Sequence, residues 1–162
     1  EVGRQMAPEC PVSEVEQFIL VSTECHGYNR VFANESEDAS AAGDDLVWHG
    51  KPVDIVIDME QTEPYSSVTV GLLSNKPSYI FLPQRLAVAV SEDGENYTEV
   101  AVQEYEPEGK DDPDGTKDLT VSFAETSARY LKVTVEPTAA MPQWHHKAGG
   151  ATFIFMDEII VR

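Results

Sequence analysis

The sequence predicts an all-β fold, with antiparallel strands closed into a sandwich, jelly-roll or barrel. Three observations carry this prediction. Apolar and polar residues alternate with period two in several short runs rich in β-branched side chains. Clusters of Gly, Pro, Asn, Asp and Ser separate those runs. No stretch of ten or more residues carries convincing helical spacing, so no alternation of strands and helices is expected.

Taken in order, residues 1–16 read as an N-terminal arm or linker remnant and residues 17–162 as one domain. "QFILVST" (17–23) is apolar enough for a strand buried on both faces. "ANESEDASAAGDD" (33–45) is poor in large apolar residues and predicts a long surface loop. "VDIVIDM" (53–59) places Val53, Ile55 and Ile57 on one face, and "SSVTVGLL" (66–73) groups Val68, Val70 and Leu72. "RLAVAVS" (85–91), "DLTVSF" (118–123) and "RYLKVTV" (129–135) repeat the pattern, and "TFIFMDEIIV" (152–161) is a second dense run. The turns between them are "NKPS" (75–78), "SEDGENY" (91–97) and "EPEGKDDPDGTK" (106–117).

At 162 residues the chain is long enough for one domain to bury a core without staples. Its charge is the unusual feature: 29 acidic against 11 basic residues give −18. That leaves too little Lys and Arg for a patch that displaces counterions from nucleic-acid phosphates, and it disfavours anionic membrane surfaces. Neutral or cationic partners, Ca²⁺ among them, suit such a surface; a merely solvated acidic face is the plainer reading. No apolar run approaches the roughly 20 residues of a membrane helix. The chain begins at Glu1 without an initiator Met and reads as a piece of something longer. Cys10 and Cys25 are its only cysteines. They are either free thiols or a disulfide closing a loop of about 15 residues, worth roughly 3 kcal/mol.

Chemistry concentrates in the closing stretch "PQWHHKAGGATFIFMDEIIVR" (142–162). Two histidines without a converging third and fourth ligand make a poor zinc site, since only His26 and His49 remain and no ligand spacing is recognisable. Carboxylates are too numerous for any pair to mark a glycosidase, and no nucleophile elbow, phosphate loop or dinucleotide fingerprint is present. Catalysis is therefore not expected.

The order of "DIVIDM", "SVTVGLL", "RLAVAVSEDGENYTEV", "ARYLKVTV" and "DEIIV" resembles the discoidin, or coagulation factor 5/8 type C, superfamily. Its galactose-binding-like members include the family 32 carbohydrate-binding modules. "PSYIFLPQRLAVAVSEDGENY" and "PQWHHKAGGATFIFMDEI" are also similar to the accessory domain of bacterial β-N-acetylhexosaminidases. The resemblance spans about residues 44–162. It implies an eight-stranded antiparallel jelly-roll β-sandwich with a shallow ligand site in the loops at one end, and a noncatalytic module of a larger secreted, periplasmic or cell-surface bacterial glycoside hydrolase.

A pyranose needs a flat apolar face for its CH side and polar groups for its hydroxyls. Trp144 with His145 and His146 offers both within one loop, and Tyr79, Trp48 and His49 stand in connections where they could add walls. Each has a packing alternative: Trp144 as a cap on the sandwich, Trp48 and Tyr79 as core. Gly149 and Gly150 suit a tight return into the last strand.

The superfamily further implies a structural Ca²⁺ between an early loop and a glutamate of the last strand, which corresponds to Glu158, with Asn34, Asp38, Asp44 and Asp45 as available loop ligands. The implied partners are a glycan of the GlcNAc, GalNAc or galactose type and the catalytic domain of the same polypeptide, with no nucleic acid, no membrane insertion and a monomeric isolated module. The rivals are a structural accessory domain without ligand and a protein-binding adhesion module.

Overall fold

The computed structural model describes residues 20–23, 30–33, 40–42 and 45–49 as strands of the backbone, and residues 52–162 in full. The strands are β1 (Leu20–Thr23), β2 (Arg30–Ala33), β3 (Ser40–Ala42), β4 (Asp45–His49), β5 (Val53–Ser74), β6 (Arg85–Ser91), β7 (Thr98–Glu104), β8 (Gly115–Glu136) and β9 (Phe153–Val161). Their hydrogen-bonded order is β3-β4-β9-β5-β8-β6-β7, with β1 on β9 and β2 on β5. Every pairing is antiparallel except β1 with β9. The expected all-β antiparallel architecture is what the chain adopts. No helix of the described residues is long and apolar enough to cross a membrane.

Two long strands build the sandwich. β5 and β8 each run for 22 residues and pair along nearly their whole length, from Val53↔Val135 to Ser74↔Gly115. The ladder slips between Asp58 and Glu63 and again between Tyr65 and Ser67. A strand that bends at such bulges passes from one sheet to the other and forms the corner of a sandwich. The first half of β5 contributes Val53, Ile55 and Ile57 to the core, and the last half Val68, Val70 and Leu72. Both halves meet in one core with Leu86, Val88, Leu131, Val133, Val135, Ile154, Met156 and Ile159. The ribbon has therefore folded back on itself, and burying each such side chain stabilises by about 1.5–3 kcal/mol.

The corner is locked at Asp58. Its carboxylate accepts from Arg129 Nε and Nη2, both at 2.8 Å, and from the Glu60 backbone N–H at 2.8 Å. That last bond holds Glu60 in the left-handed region, with φ 67°.

Three expectations need correction. The separate strands at 53–59 and 66–73 are one strand, as are those at 118–123 and 129–135, because the polar stretches between them stay paired around the corner. The loop expected over 33–45 contains β3, paired Ser40↔Val47 to Ala42↔Asp45. The unexpected β7 has a largely exposed edge, with Val102 open to solvent, so its burial leaves a weak apolar signal. Cys10, Cys25 and the arm at 1–16 lie outside the described residues.

Candidate functional site

One end of the sandwich gathers the loops that the sequence singles out. β5 ends at Ser74 opposite the start of β8, and His49, the last residue of β4, pairs with Phe153 at the start of β9. Gln84 N–H donates to Glu136 O and Tyr105 N–H to Gln84 O, which brings the second sheet's connections to the same end. Segments 75–84, 105–114 and 137–152 thus lie together.

The loop at 141–150 is closed on itself. Met141 N–H donates to Gly150 O at 2.8 Å, and Gly149 N–H returns to Met141 O at 2.9 Å. Gly149 makes the turn with φ +81°, a conformation that side chains disfavour. Inside the loop His145 N–H reaches Pro142 O and Ala148 N–H reaches His145 O. Met141 is buried beneath, and Thr152 Oγ1 donates to Thr138 O at 2.7 Å. Such closure holds the side chains of the loop in place before any ligand arrives.

Segment 75–84 forms the other wall. Residues Lys76–Ser78 make a short 3₁₀ turn, with Asn75 Oδ1 accepting from Ser78 N–H. Tyr79 ends the turn in the left-handed region at φ 68°. A bulky residue held there costs about 1–3 kcal/mol, and such strain collects at functional positions. Its carbonyl accepts from Phe153 N–H, and Phe81 N–H donates to Phe153 O, which staples the segment to β9.

Five aromatic rings meet where these segments touch. Trp144 is 36% exposed and leans on the buried Phe81, ring centroids 6.1 Å apart. His145 is only 7% exposed and packs edge-on against Tyr79, Phe81 and Trp144 at 5.6–5.9 Å. His146 is exposed, lies 4.4 Å from the His145 ring, and its Nε2 is 3.4 Å from Tyr79 Oη.

The adjacent histidines therefore have different positions. His145 is bonded at both ring nitrogens: Nε2 to Lys76 O at 2.9 Å, and Nδ1 to Lys147 N–H at 3.2 Å. A carbonyl only accepts, so Nε2 carries the proton and Nδ1 the lone pair. His145, offered with His146 as a polar group for sugar hydroxyls, instead has its ring in the floor. His146, Tyr79 and Trp144 form the accessible surface.

Beneath the floor is a feature that sequence reasoning missed. Lys76 is buried, and its Nζ lies 2.6 Å from Asp114 Oδ1 and 3.6 Å from Glu108 Oε1. Glu108 also accepts from Ser74 Oγ at 2.5 Å and Leu82 N–H at 2.7 Å. The Lys76 ammonium beside Asp114, followed by the Lys76 backbone N–H, holds that carboxyl below the usual carboxylate range. The one available signal was a lysine inside the otherwise uncharged "LLSNKPSYIFLP".

The other candidates are placed differently. Trp48 and His49 are in strand β4, paired with Ile154 and Phe153, rather than in a connection; "LVWH" holds no turn former until Gly50. Asn34, Asp38 and Asp44 lie outside the described residues. Glu158 is in β9, paired with Gly71, which in turn pairs with Asp118 of β8. Desolvation, Asp157 and Asp118 raise its pKa above the usual carboxylate value. Asp157 crowds the same place: a Cβ on Gly71 would stand 2.3 Å from its Oδ1. Among the described residues no group of three His, Cys, Asp or Glu is arranged to hold a metal ion.

Comparison with known proteins places this geometry. The F5/8 type C domain family matches residues 22–152, most of the chain. The family 32 carbohydrate-binding module of Clostridium perfringens NanJ, solved in complex with galactose, superposes with a TM-score of 0.52. It is 16% identical, over 82% of this chain and 91% of its own. CpGH89CBM32-6 of the same organism has a TM-score of 0.52 at 10% identity, over 83% and 92% of the two chains. The C-terminal domain of a Bacteroides fragilis chitobiase is 18% identical over 79% of each chain, with a TM-score of 0.44. No curated protein matches the chain by sequence. With the family match running from β1 to the start of β9 and including the loops at 75–84 and 141–150, the chain belongs to the F5/8 type C, or discoidin, domain family.

Proposed function

We propose that this chain is a noncatalytic carbohydrate-binding module that receives a glycan at the loop end of the sandwich. The observation that carries the reading is the half-open Trp144, held on a self-closed loop beside the Tyr79–His146 pair. In this reading Trp144 stacks on the apolar face of a pyranose. Tyr79 Oη and His146 Nε2, already within reach of each other, take the sugar hydroxyls. The galactose complex of the NanJ module supports a ligand of the galactose kind, and GalNAc and GlcNAc are the related sugars to test beside it. The parent is a secreted bacterial glycoside hydrolase of hexosaminidase type, whose catalytic domain this module keeps close to glycan.

Shallow sites of this kind bind weakly, on the order of −4 to −6 kcal/mol, and become useful through tethering. The exposure of Trp144 favours a ligand site over a purely packing role. The large apolar residues exposed among those described, Val102 in β7 and Trp144, are on separate elements, which does not suit a broad protein-docking face. The test is a tryptophan-fluorescence titration with galactose, GalNAc, GlcNAc and their oligosaccharides, on wild type and Trp144→Ala. Saturation in the wild type and its loss in the variant support the reading. A flat response from folded protein to every sugar refutes it.

A structural Ca²⁺ beside Glu158 is the second reading. Burial, then Asp157 and Asp118, raise the Glu158 pKa, so a bound cation would relieve its ionised form; the other expected ligands, Asn34, Asp38 and Asp44, lie outside the described residues. An ion that binds the folded state raises the melting temperature, by a stabilisation that grows with the logarithm of its concentration above Kd. Identical melting curves with Ca²⁺ and with chelator would remove it.

A further inference from the structure

A lysine whose side chain is 6% exposed is an unusual foundation for a loop. Lys76 is buried against a Glu108 side chain that is itself only 8% exposed. Removing two charges from water costs more than a typical ion pair returns, and apolar residues of similar volume often stabilise better. The arrangement does, however, impose one geometry. Lys76 Nζ holds Asp114 and Glu108 from the 105–114 loop, Lys76 N–H donates to Asp114 Oδ1 at 3.2 Å, and Lys76 O receives His145 Nε2–H from the 141–150 loop. Glu108 closes the circuit by accepting from Leu82 N–H, three residues beyond Tyr79. One residue thereby sets the mutual position of all three loops that carry the aromatic face.

We propose that Lys76, with Glu108 and Asp114, is the positioning unit of the ligand face, aiming the Lys76 carbonyl at His145 so that Trp144, Tyr79 and His146 share one surface. The inference rests on the carbohydrate reading for its effect on affinity, but the geometric claim stands on the three loops alone.

The test uses the whole chain and three variants: Lys76→Met, which keeps length without charge, Lys76→Arg and Glu108→Gln. Melting temperature, sugar affinity and the ¹⁵N shifts of the His145 imidazole are measured on each. The expected result is a Lys76→Met protein that still folds but melts below wild type, because the buried Glu108 loses its counter-charge. It binds sugar at least tenfold more weakly and shows displaced His145 Nε2 and Trp144 indole signals. Lys76→Arg recovers most of both, and Glu108→Gln falls between. Wild-type affinity and unchanged His145 signals in Lys76→Met overturn the proposal. So does an affinity loss that only follows loss of folding and is not rescued by arginine. If Lys76→Met does not fold, Glu108→Gln decides on the same two readouts, with unchanged signals overturning the proposal. If wild type binds no sugar, the carbohydrate reading fails separately, and the His145 and Trp144 signals alone decide the positioning claim.

Discussion

Replacing His145 by alanine separates floor from rim. The ring is buried and its Nε2–H satisfies Lys76 O at 2.9 Å. Deleting it strands a carbonyl beneath the loop, a loss of about 1–3 kcal/mol when the group stays dry. The ring also touches Tyr79, Phe81 and Trp144 edge-on, and each aromatic contact adds about 0.5–1.5 kcal/mol beyond area burial. Part of that returns when neighbouring rings close over the gap, leaving a net loss of roughly 2–4 kcal/mol. For a domain of this size the loss lowers Tm by roughly 5–15 °C. His146→Ala removes an exposed ring and should cost no more than about 0.5 kcal/mol. Urea unfolding of both variants, with the m value unchanged, measures the difference. Equal effects of the two substitutions, or a His145→Ala loss under about 0.5 kcal/mol, would refute the floor assignment.

Tyr79→Gly and Tyr79→Ala both remove the ring, but only glycine occupies φ 68° freely. The glycine variant should be the more stable by roughly 1 kcal/mol in urea unfolding, while both lose sugar affinity. Glu158 has a folded pKa above its unfolded value, from burial first and then from Asp157 and Asp118, so its ionisation disfavours the fold. Its contribution is fully present below the unfolded carboxylate range and is lost as pH rises through the folded pKa. In chelator, Glu158→Gln therefore raises Tm at neutral pH, and the gain fades on acidification; with Ca²⁺ bound at this residue the sign reverses. Asp58→Ala releases Arg129 and the Glu60 turn at the end away from the aromatic loops. It lowers Tm and leaves sugar affinity unaltered in the same titration.

The strands were legible wherever alternation met a buried face, as at Ile55 and Ile57 or Val133 and Val135. Continuity was not. Glu60 to Tyr65 is polar and contains Pro64, so it looks like a turn, yet Glu63 and Pro64 remain paired with Ala128 and Ser127 across the corner. Period-two patterning reports burial, and at this corner Glu60 to Pro64 lie mostly outside the core although Glu63 and Pro64 keep their partners.

The site divides in the same way. Residue type alone pointed to Trp144, Tyr79 and the histidine pair. Which histidine faces inward was illegible, because adjacent loop residues diverge without a rule for the sign, and the deciding partner, Lys76 O, is 69 positions away. Lys76 itself was hidden because a lysine in "NKPS" reads as an exposed turn residue. Only the carboxylates of a distant loop make its burial tolerable.

The most direct test of the account is a map of backbone amide shifts as galactose, GalNAc or GlcNAc oligosaccharide is added. The account predicts saturable shifts confined to residues 75–82, 105–114 and 141–150, with the Trp144 indole among the largest. A recess of about 300 Å³, lined by residues such as Ser91, Asn96 and Ser127, serves as the internal control at the opposite end. Shifts centred on that recess, or none anywhere at millimolar sugar, would contradict a glycan site built from the aromatic loops.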